Sequence, residues 1–259
     1  MRIRRALIAK LTLGTSVFVA GCRTNESETP TTTTAAAAAT TTSVDSRFAR
    51  ERAEMVAAQL AARDITNQRV LEAMDRAPRH RFVLAAYEGR AYEDRALPIN
   101  AGQTISQPYI VALMTQLADP KLGDRVLDIG TGSGYQAAVL AEMGASVSSI
   151  EIVPELAAEA KQRLKDLKYD AVEVRAGDGY RGWPERAPFR AIILAAAAPQ
   201  VPQPLLEQLA TGGRLVLPLG DGSGQDLMVI TREADGRFSR RTVAPVMFVP
   251  MTGEVRQSK

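Results

Sequence analysis

Apolar residues recur along this chain at two different periods, and the change of period divides it. In Arg50 to Arg63 (RERAEMVAAQLAAR) and in Gln68 to Ala77 (QRVLEAMDRA) they return every three or four residues. That spacing predicts two amphipathic helices, the second starting near Thr66 and stopping before Pro78. Pro108 to Leu117 reads as a third helix. Beyond it, short apolar runs alternate with helical patterns. RVLDIG (125–130), SVSSIE (146–151), AVEVRAGD (171–178), FRAIILAA (189–196) and RLVLPLG (214–220) read as strands. YQAAVLAEMG (135–144), PELAAEAKQRLKDL (154–167) and PLLEQLAT (204–211) read as the helices between them. Such alternation predicts an α/β protein with a mostly parallel, doubly wound sheet covered on both faces. DLMVITRE (226–233) and RRTVAPVMFVP (240–250), separated by Ala234-Asp235-Gly236, predict an antiparallel pair at its edge.

Residues 1–45 follow neither period. Arg2, Arg4, Arg5 and Lys10 precede the apolar run Leu11 to Gly21, and Cys22 follows. These are the parts of a secretory signal peptide, and the run is too short to cross a bilayer as a permanent helix. Val19-Ala20-Gly21-Cys22 resembles a bacterial lipoprotein lipobox. It implies a signal over residues 1–22, lipidation at Cys22 and a place on the periplasmic side of the cell envelope. An ordinary apolar segment that ends in cysteine, in a cytoplasmic protein, is the alternative. Residues 23–45 are rich in threonine and alanine, lack aromatic residues and read as a disordered linker. The folded domain is expected over 46–259.

Charge narrows the partners. The formal net charge is +3, but the four basic residues before Cys22 more than account for it. From Arg23 onward 28 basic residues face 29 acidic ones, so a nucleic-acid partner has no electrostatic support. One cysteine and one histidine give no multi-cysteine metal site and no internal disulfide. No metal is expected, and contact with a membrane is expected only through a lipid anchor.

The candidate chemistry centres on Asp128-Ile129-Gly130-Thr131-Gly132-Ser133-Gly134-Tyr135. Glycines between a buried strand and a helix allow a tight turn and let a ligand approach the main chain. Glu151 ends the next strand, where nucleotide-binding folds place a carboxylate for ribose hydroxyls. A dinucleotide fingerprint would put glycine at 135, where Tyr135 stands. Asp128 ill suits a pyrophosphate and suits a cationic ligand such as S-adenosylmethionine; a carboxylate bonded to loop amides is the alternative. Asp178 and Gly179 end the third strand on the same edge, fitted to accept an adenine amino group or simply to make an Asp-Gly turn. Ser106, in Ser-Gln-Pro before an apolar helix, fits an N-cap. His80, beside Pro78 and Arg81, reads as structural.

Other stretches carry a more specific signal: Arg79-His80-Arg81-Phe82-Val83, Tyr92-Glu93-Asp94, Leu97 to Pro108 (LPINAGQTISQP), Ile150 to Glu155 (IEIVPE), Gly177-Asp178-Gly179, Ala195 to Pro199, Gly212 to Leu215 (GGRL) and Phe248 to Thr252 (FVPMT). With Asp128 to Tyr135, and in this order, they resemble the protein-L-isoaspartate O-methyltransferases from about Ser46 to Glu254. The resemblance implies a Rossmann-like methyltransferase fold with an N-terminal helical cap. It also implies methyl transfer from S-adenosylmethionine to the free carboxylate of L-isoaspartyl residues in damaged proteins; separately, the chain is expected to act as a monomer. Family roles fall on Gln103, Thr104, Ile105 and Ser106 around the reactive centre, with Ser106 as the active residue. Asp128, Gly130, Thr131, Gly132, Gly134, Glu151, Asp178, Gly179 and Thr252 fall around the cofactor, with Gln257 nearby. Asn100-Ala101, Arg190, Ala195 and Gln200 depart from the family's usual residues. The alternatives are a binding protein without turnover in the envelope, where cofactor supply does not follow from the sequence, or a methyltransferase for another carboxylate.

Overall fold

The computed structural model describes residues 45–222 and 224–256. The expected signal, Cys22, the linker up to residue 44 and Gln257 lie outside the described residues. The first helix (α1) runs over 45–54 and continues as a π-helix over Met55–Ala61. It begins before the expected Arg50 because Phe48 anchors an extra turn, its ring stacked on His80 at 4.1 Å. Helix α2 (Gln68–Arg76) is capped by Asn67, whose side chain accepts from the Arg69 amide, so it starts later than Thr66. Helix α3 spans Pro108–Ala118. Between α2 and α3, β1 (Leu97–Pro98) and β2 (Thr104–Ile105) form a small antiparallel ladder that no periodicity predicted.

The main sheet is built from β3 (Arg125–Ile129), β4 (Ser146–Glu151), β5 (Glu173–Ala176), β6 (Phe189–Leu194), β7 (Leu209–Asp221), β8 (Gly224–Arg232) and β9 (Phe238–Val246). Its order is β5-β4-β3-β6-β7-β8-β9. Pairs from β5 to β7 are parallel, and the two involving β8 are antiparallel. Helices α4 (Tyr135–Glu142), α5 (Pro154–Asp166) and α6 (Gln203–Glu207) connect the parallel strands. Both faces are covered, and the period of two shows which residue goes where. Val126, Ala191, Ile193 and Val216 pack with α2, α3 and α4, while Leu127, Ile192, Leu194 and Leu215 pack with α6 on the other face.

Other boundaries also differ from expectation. Helix α6 ends at Glu207 rather than Thr211, because the Gln208 carbonyl accepts the Phe189 amide and Leu209 already pairs with Phe189. The extra residues before Arg214 form a bulge between Phe189 and Ala191. β5 is shorter at both ends than Ala171 to Asp178. β9 ends at Val246 rather than Pro250, because the following segment leaves the edge and runs back over the parallel strands. There the Ala197 amide donates to Val249 and the Met251 amide donates to Ala197, each at 2.8 Å.

Candidate functional site

β3, β4 and β6 end side by side, and the turn after β3 is the floor of a cleft beyond their carboxyl ends. Gly130, Gly132 and Gly134 all lie at positive φ (88°, 52° and 93°), a region that costs other residues about 1–2 kcal/mol. Four of the turn's amides are already spent. Those of Gly130 and Thr131 donate to the Ile150 carbonyl, Gly134 to Thr131, and Gly132 to Glu151 at 2.8 Å. A turn built this way has little left to cradle a phosphate. The cleft encloses about 700 Å³ of space, its open mouth included. Glu151 is the one charged residue lining it among the described residues.

Glu151 is buried, its two oxygens held by the amides of Gly132 and Val153 (2.8 and 3.1 Å). Asp128 has no surface in the cleft. It is wholly buried behind the turn, where one oxygen accepts from the Ser149 hydroxyl at 2.7 Å and the other has no partner among the described residues. Asp128 therefore neither meets a cationic ligand directly nor bonds loop amides, the alternative reading; the hydroxyl chain continues instead from Ser149 to the Thr131 hydroxyl at 2.6 Å. Burial, countered by the Ser149 bond and reinforced by the nearby Glu151, pushes Asp128 up to about 7.

Gly179 lines the cleft, and a Cβ there would collide with Ile129. Asp178 both makes its turn, accepting from Tyr180 N at 2.9 Å, and holds the C-terminal segment, accepting from Glu254 N at 2.8 Å. That segment brings Thr252 to the cleft wall.

Gln103 and Thr104 close the same cleft from the β1–β2 ladder, and Ile105 is buried below it. On the far side of Thr104 lies a second groove, lined by Ser106, Gln107, Ile110 and the segment from Pro245 to Val249. Thr104 and Ala195 line both, so cleft and groove meet there. Ser106 does not cap α3: the N-cap position is Gln107, and no side chain caps it. Its hydroxyl has no partner among the described residues, whereas its carbonyl is fixed by Arg79 Nη2 at 2.7 Å. Arg79 was not singled out from the sequence. It is fully buried, bonds the Ala91 carbonyl at 2.8 Å and lies over the Tyr135 ring; burial lowers it to about 10. His80 stands away from the cleft, stacked on Phe48 with Nδ1 2.8 Å from the Tyr92 hydroxyl.

The departures from the family pattern have local explanations. Asn100 makes a hydrogen-bonded clasp, its amide nitrogen 2.8 and 3.0 Å from the Glu159 oxygens. Ala101 holds the turn at φ 55°. Arg190 donates to the Gly212 carbonyl across the bulge.

Sheet, glycine turn and strand-end acid define a Rossmann-like methyltransferase. The family described as protein-L-isoaspartate(D-aspartate) O-methyltransferase matches residues 50–256, and the chain belongs to it. The protein-L-isoaspartate O-methyltransferase of Gloeobacter violaceus is 54% identical over 204 residues, covering 78% of this chain and 99% of that one. The enzyme of that name from Opitutus terrae is 53% identical over 204 residues, covering 79% and 88%. A solved structure from Plasmodium falciparum, a putative protein-L-isoaspartate O-methyltransferase in complex with S-adenosyl-L-homocysteine, superposes with a TM-score of 0.68 at 25% identity. It covers 78% of this chain and 98% of its own.

Proposed function

We infer that this chain is a protein-L-isoaspartate O-methyltransferase, which transfers a methyl group from S-adenosylmethionine to the free α-carboxylate of L-isoaspartyl residues in damaged proteins. The observation that carries the reading is the junction of cleft and groove at Thr104 and Ala195, with Ser106 on the groove side. It gives two ligands, one on each side, a common boundary.

The residues present fit the cofactor. The cleft has a carboxylate and no cation among its described lining residues, which suits a sulfonium, and four of its turn amides are committed elsewhere. When bound, S-adenosylmethionine supplies an electrophilic methyl group. Glu151, held by Gly132 and Val153, accepts the ribose hydroxyls. Gly130, Gly132 and Gly134 shape the floor, while Asp128 steadies it through Ser149 and Thr131. Gly179 leaves room for the adenine, Asp178 receives its amino group and keeps the C-terminal segment in place, and Thr252 closes the wall. Gln103, Thr104 and Ile105 form the partition next to the reacting carboxylate.

That carboxylate has a reference pKa near ~4, so it is ionised at neutral pH and needs no base. The chain's task is alignment, holding the reacting atoms on the order of 3 Å apart. Ser106 donates its hydroxyl to the carboxylate, and Arg79 keeps the Ser106 main chain still. The ester then closes to a succinimide as the next main-chain nitrogen displaces methanol, and the ring reopens partly to normal aspartate. A single chain supplies every group named, which supports a monomer as the working unit.

The test is methyl transfer by the full chain to an isoaspartyl peptide and to its aspartyl twin. Transfer to the isoaspartyl peptide alone is expected; equal transfer to both would favour another carboxylate substrate. Cofactor binding without transfer would favour a binding protein. We also propose that Cys22 is lipidated and tethers the enzyme to the envelope, supported by the basic and apolar pattern of residues 1–22. Among the described residues no helix is long and apolar enough to cross a membrane. Mass spectrometry of the N-terminus in cells is expected to find a diacylated Cys22, and an unprocessed Met1 would rule the anchor out.

A further inference from the structure

A third depression adjoins the groove beside Ser106 and has no part in the reaction described above. Ala197, Pro199 and Met251 line it together with Gly220, Gly222 and Gly224, and it encloses about 1110 Å³ of space open to solvent. It shares Val246, Met247 and Phe248 with the groove. Met247 therefore stands on the saddle between the two, and it is 94% exposed.

The main chain on either side of the saddle is engaged at Phe248, at the Val249 carbonyl and at Val246. The Gln225 side-chain amide accepts from Phe248 N at 2.6 Å and donates to Phe248 O at 3.1 Å. Val249 O accepts from Ala197 N at 2.8 Å, and Val246 is paired with Gln225 at the end of β9. The N–H and C=O of Met247 have no partner among the described residues. An exposed apolar side chain, two unpaired main-chain groups and a depression on each side match the way proteins take an extended peptide by strand addition. Main-chain pairing accepts any sequence, and the depressions select side chains.

We propose that the third depression is a subsite for an apolar side chain two or three positions from the isoaspartyl residue, with the substrate chain crossing Met247 in extended form. The subsite rests on the reading of the Ser106 groove as the isoaspartyl site. Continuity of the surface identifies the occupant: a chain with its isoaspartyl residue beside Ser106 continues over Val246 to Phe248 into the depression. Successive side chains of an extended strand alternate in direction, so a residue about two further on faces the protein again. Met247, with an unbranched and polarisable side chain, accommodates varied neighbours, as an enzyme for many damaged proteins needs.

The experiment uses the full chain and isoaspartyl heptapeptides in which each flanking position in turn is Leu, Ser or Glu. At one position the wild type is expected to show a KM about tenfold lower for Leu than for Ser, a typical discrimination by an apolar pocket. Met247→Asp should erase that ratio while the Kd for S-adenosylhomocysteine stays at its wild-type value. The side chain is exposed, so the variant should fold. Equal KM values for Leu and Ser at every position, or a ratio that survives Met247→Asp, would overturn the subsite. Methylation of no peptide would overturn the isoaspartyl reading and the subsite with it, a result distinct from methylation without flank preference.

Discussion

Replacing Asp128 by asparagine isolates one fully buried carboxyl group. The carboxyl is wholly buried and has the Ser149 hydroxyl on one oxygen only. Its pKa is raised from 3.8 to about 7 by burial, with Glu151 adding to the effect against the Ser149 bond. In the unfolded chain the same group ionises near 3.8, so between the two values the folded state keeps a proton that the unfolded state has shed. The group's contribution to stability is complete below the lower value and is lost as pH rises through the upper one. At about 1.4 kcal/mol per unit, a rise from about pH 4.5 to about pH 7.5 removes roughly 3 kcal/mol from the wild type. Asparagine has the same shape, can still accept from Ser149 and does not titrate. Urea unfolding of the two proteins across this range should therefore show the stability difference shifting toward the variant by about 3 kcal/mol, or roughly 6–12 °C in Tm. A difference constant to within about 0.5 kcal/mol would refute the assignment of a buried, neutralising carboxyl.

His80 should act in the opposite direction. Burial, helped by Arg52 and Arg81, lowers it from 6.5 to about 4, so its contribution is present above about 6.5 and lost as pH falls through 4. His80→Phe keeps the stack on Phe48 and should remove about 1–2 kcal/mol of that acid loss, a figure discounted because the ring is only partly buried; identical acid profiles in urea would exclude it. Glu151→Gln leaves the amide of Gly132 or Val153 facing an NH₂ group and removes a charged acceptor from the cleft. Calorimetry should find S-adenosylhomocysteine bound about 10–100-fold more weakly, and a change under about threefold would count against the ribose role. Gly253→Ala places a methyl group at φ 90° against the Asp178 carboxylate. Loss of the Asp178–Glu254 bond should lower stability by about 1–3 kcal/mol and weaken cofactor binding with it; a Tm within about 1 °C of wild type would show that the C-terminal segment is held by other contacts.

Most of the fold was legible because the parallel strands are short, continuous apolar runs bounded by turns, as at Val126 to Ile129 and Ala191 to Leu194. Their period of two sorted side chains between the two faces as the core requires. The ladder of β1 and β2 was not legible, since strands of two residues have no period to read. The start of α1 was missed for a related reason: its extra turn is anchored by Phe48 on His80, far along the chain. The exit of the chain from the edge after Val246 left no mark either, because the apolar run continues to Val249 and only pairing with Ala197 redirects it.

The same division runs through the site. Local spacing was enough to mark the glycine turn, Glu151 and Asp178-Gly179, because each is a short segment whose residue types serve one backbone geometry, whereas the Gln103 to Ser106 stretch was marked by its resemblance to the family. Solvation and long-range contact are set by the assembled fold. Asp128 and Glu151 are both strand-end acids in sequence, yet one is sealed behind the turn and the other faces the cleft. Ser106 looked like a helix cap until the backbone put Gln107 in that position and left its hydroxyl to the groove. Arg79 became part of the site only when its guanidinium reached the Ser106 carbonyl 27 residues away. Sequence order encodes backbone preference and periodicity, whereas burial of a charge and the meeting of two cavities depend on which distant segments fill the space around it.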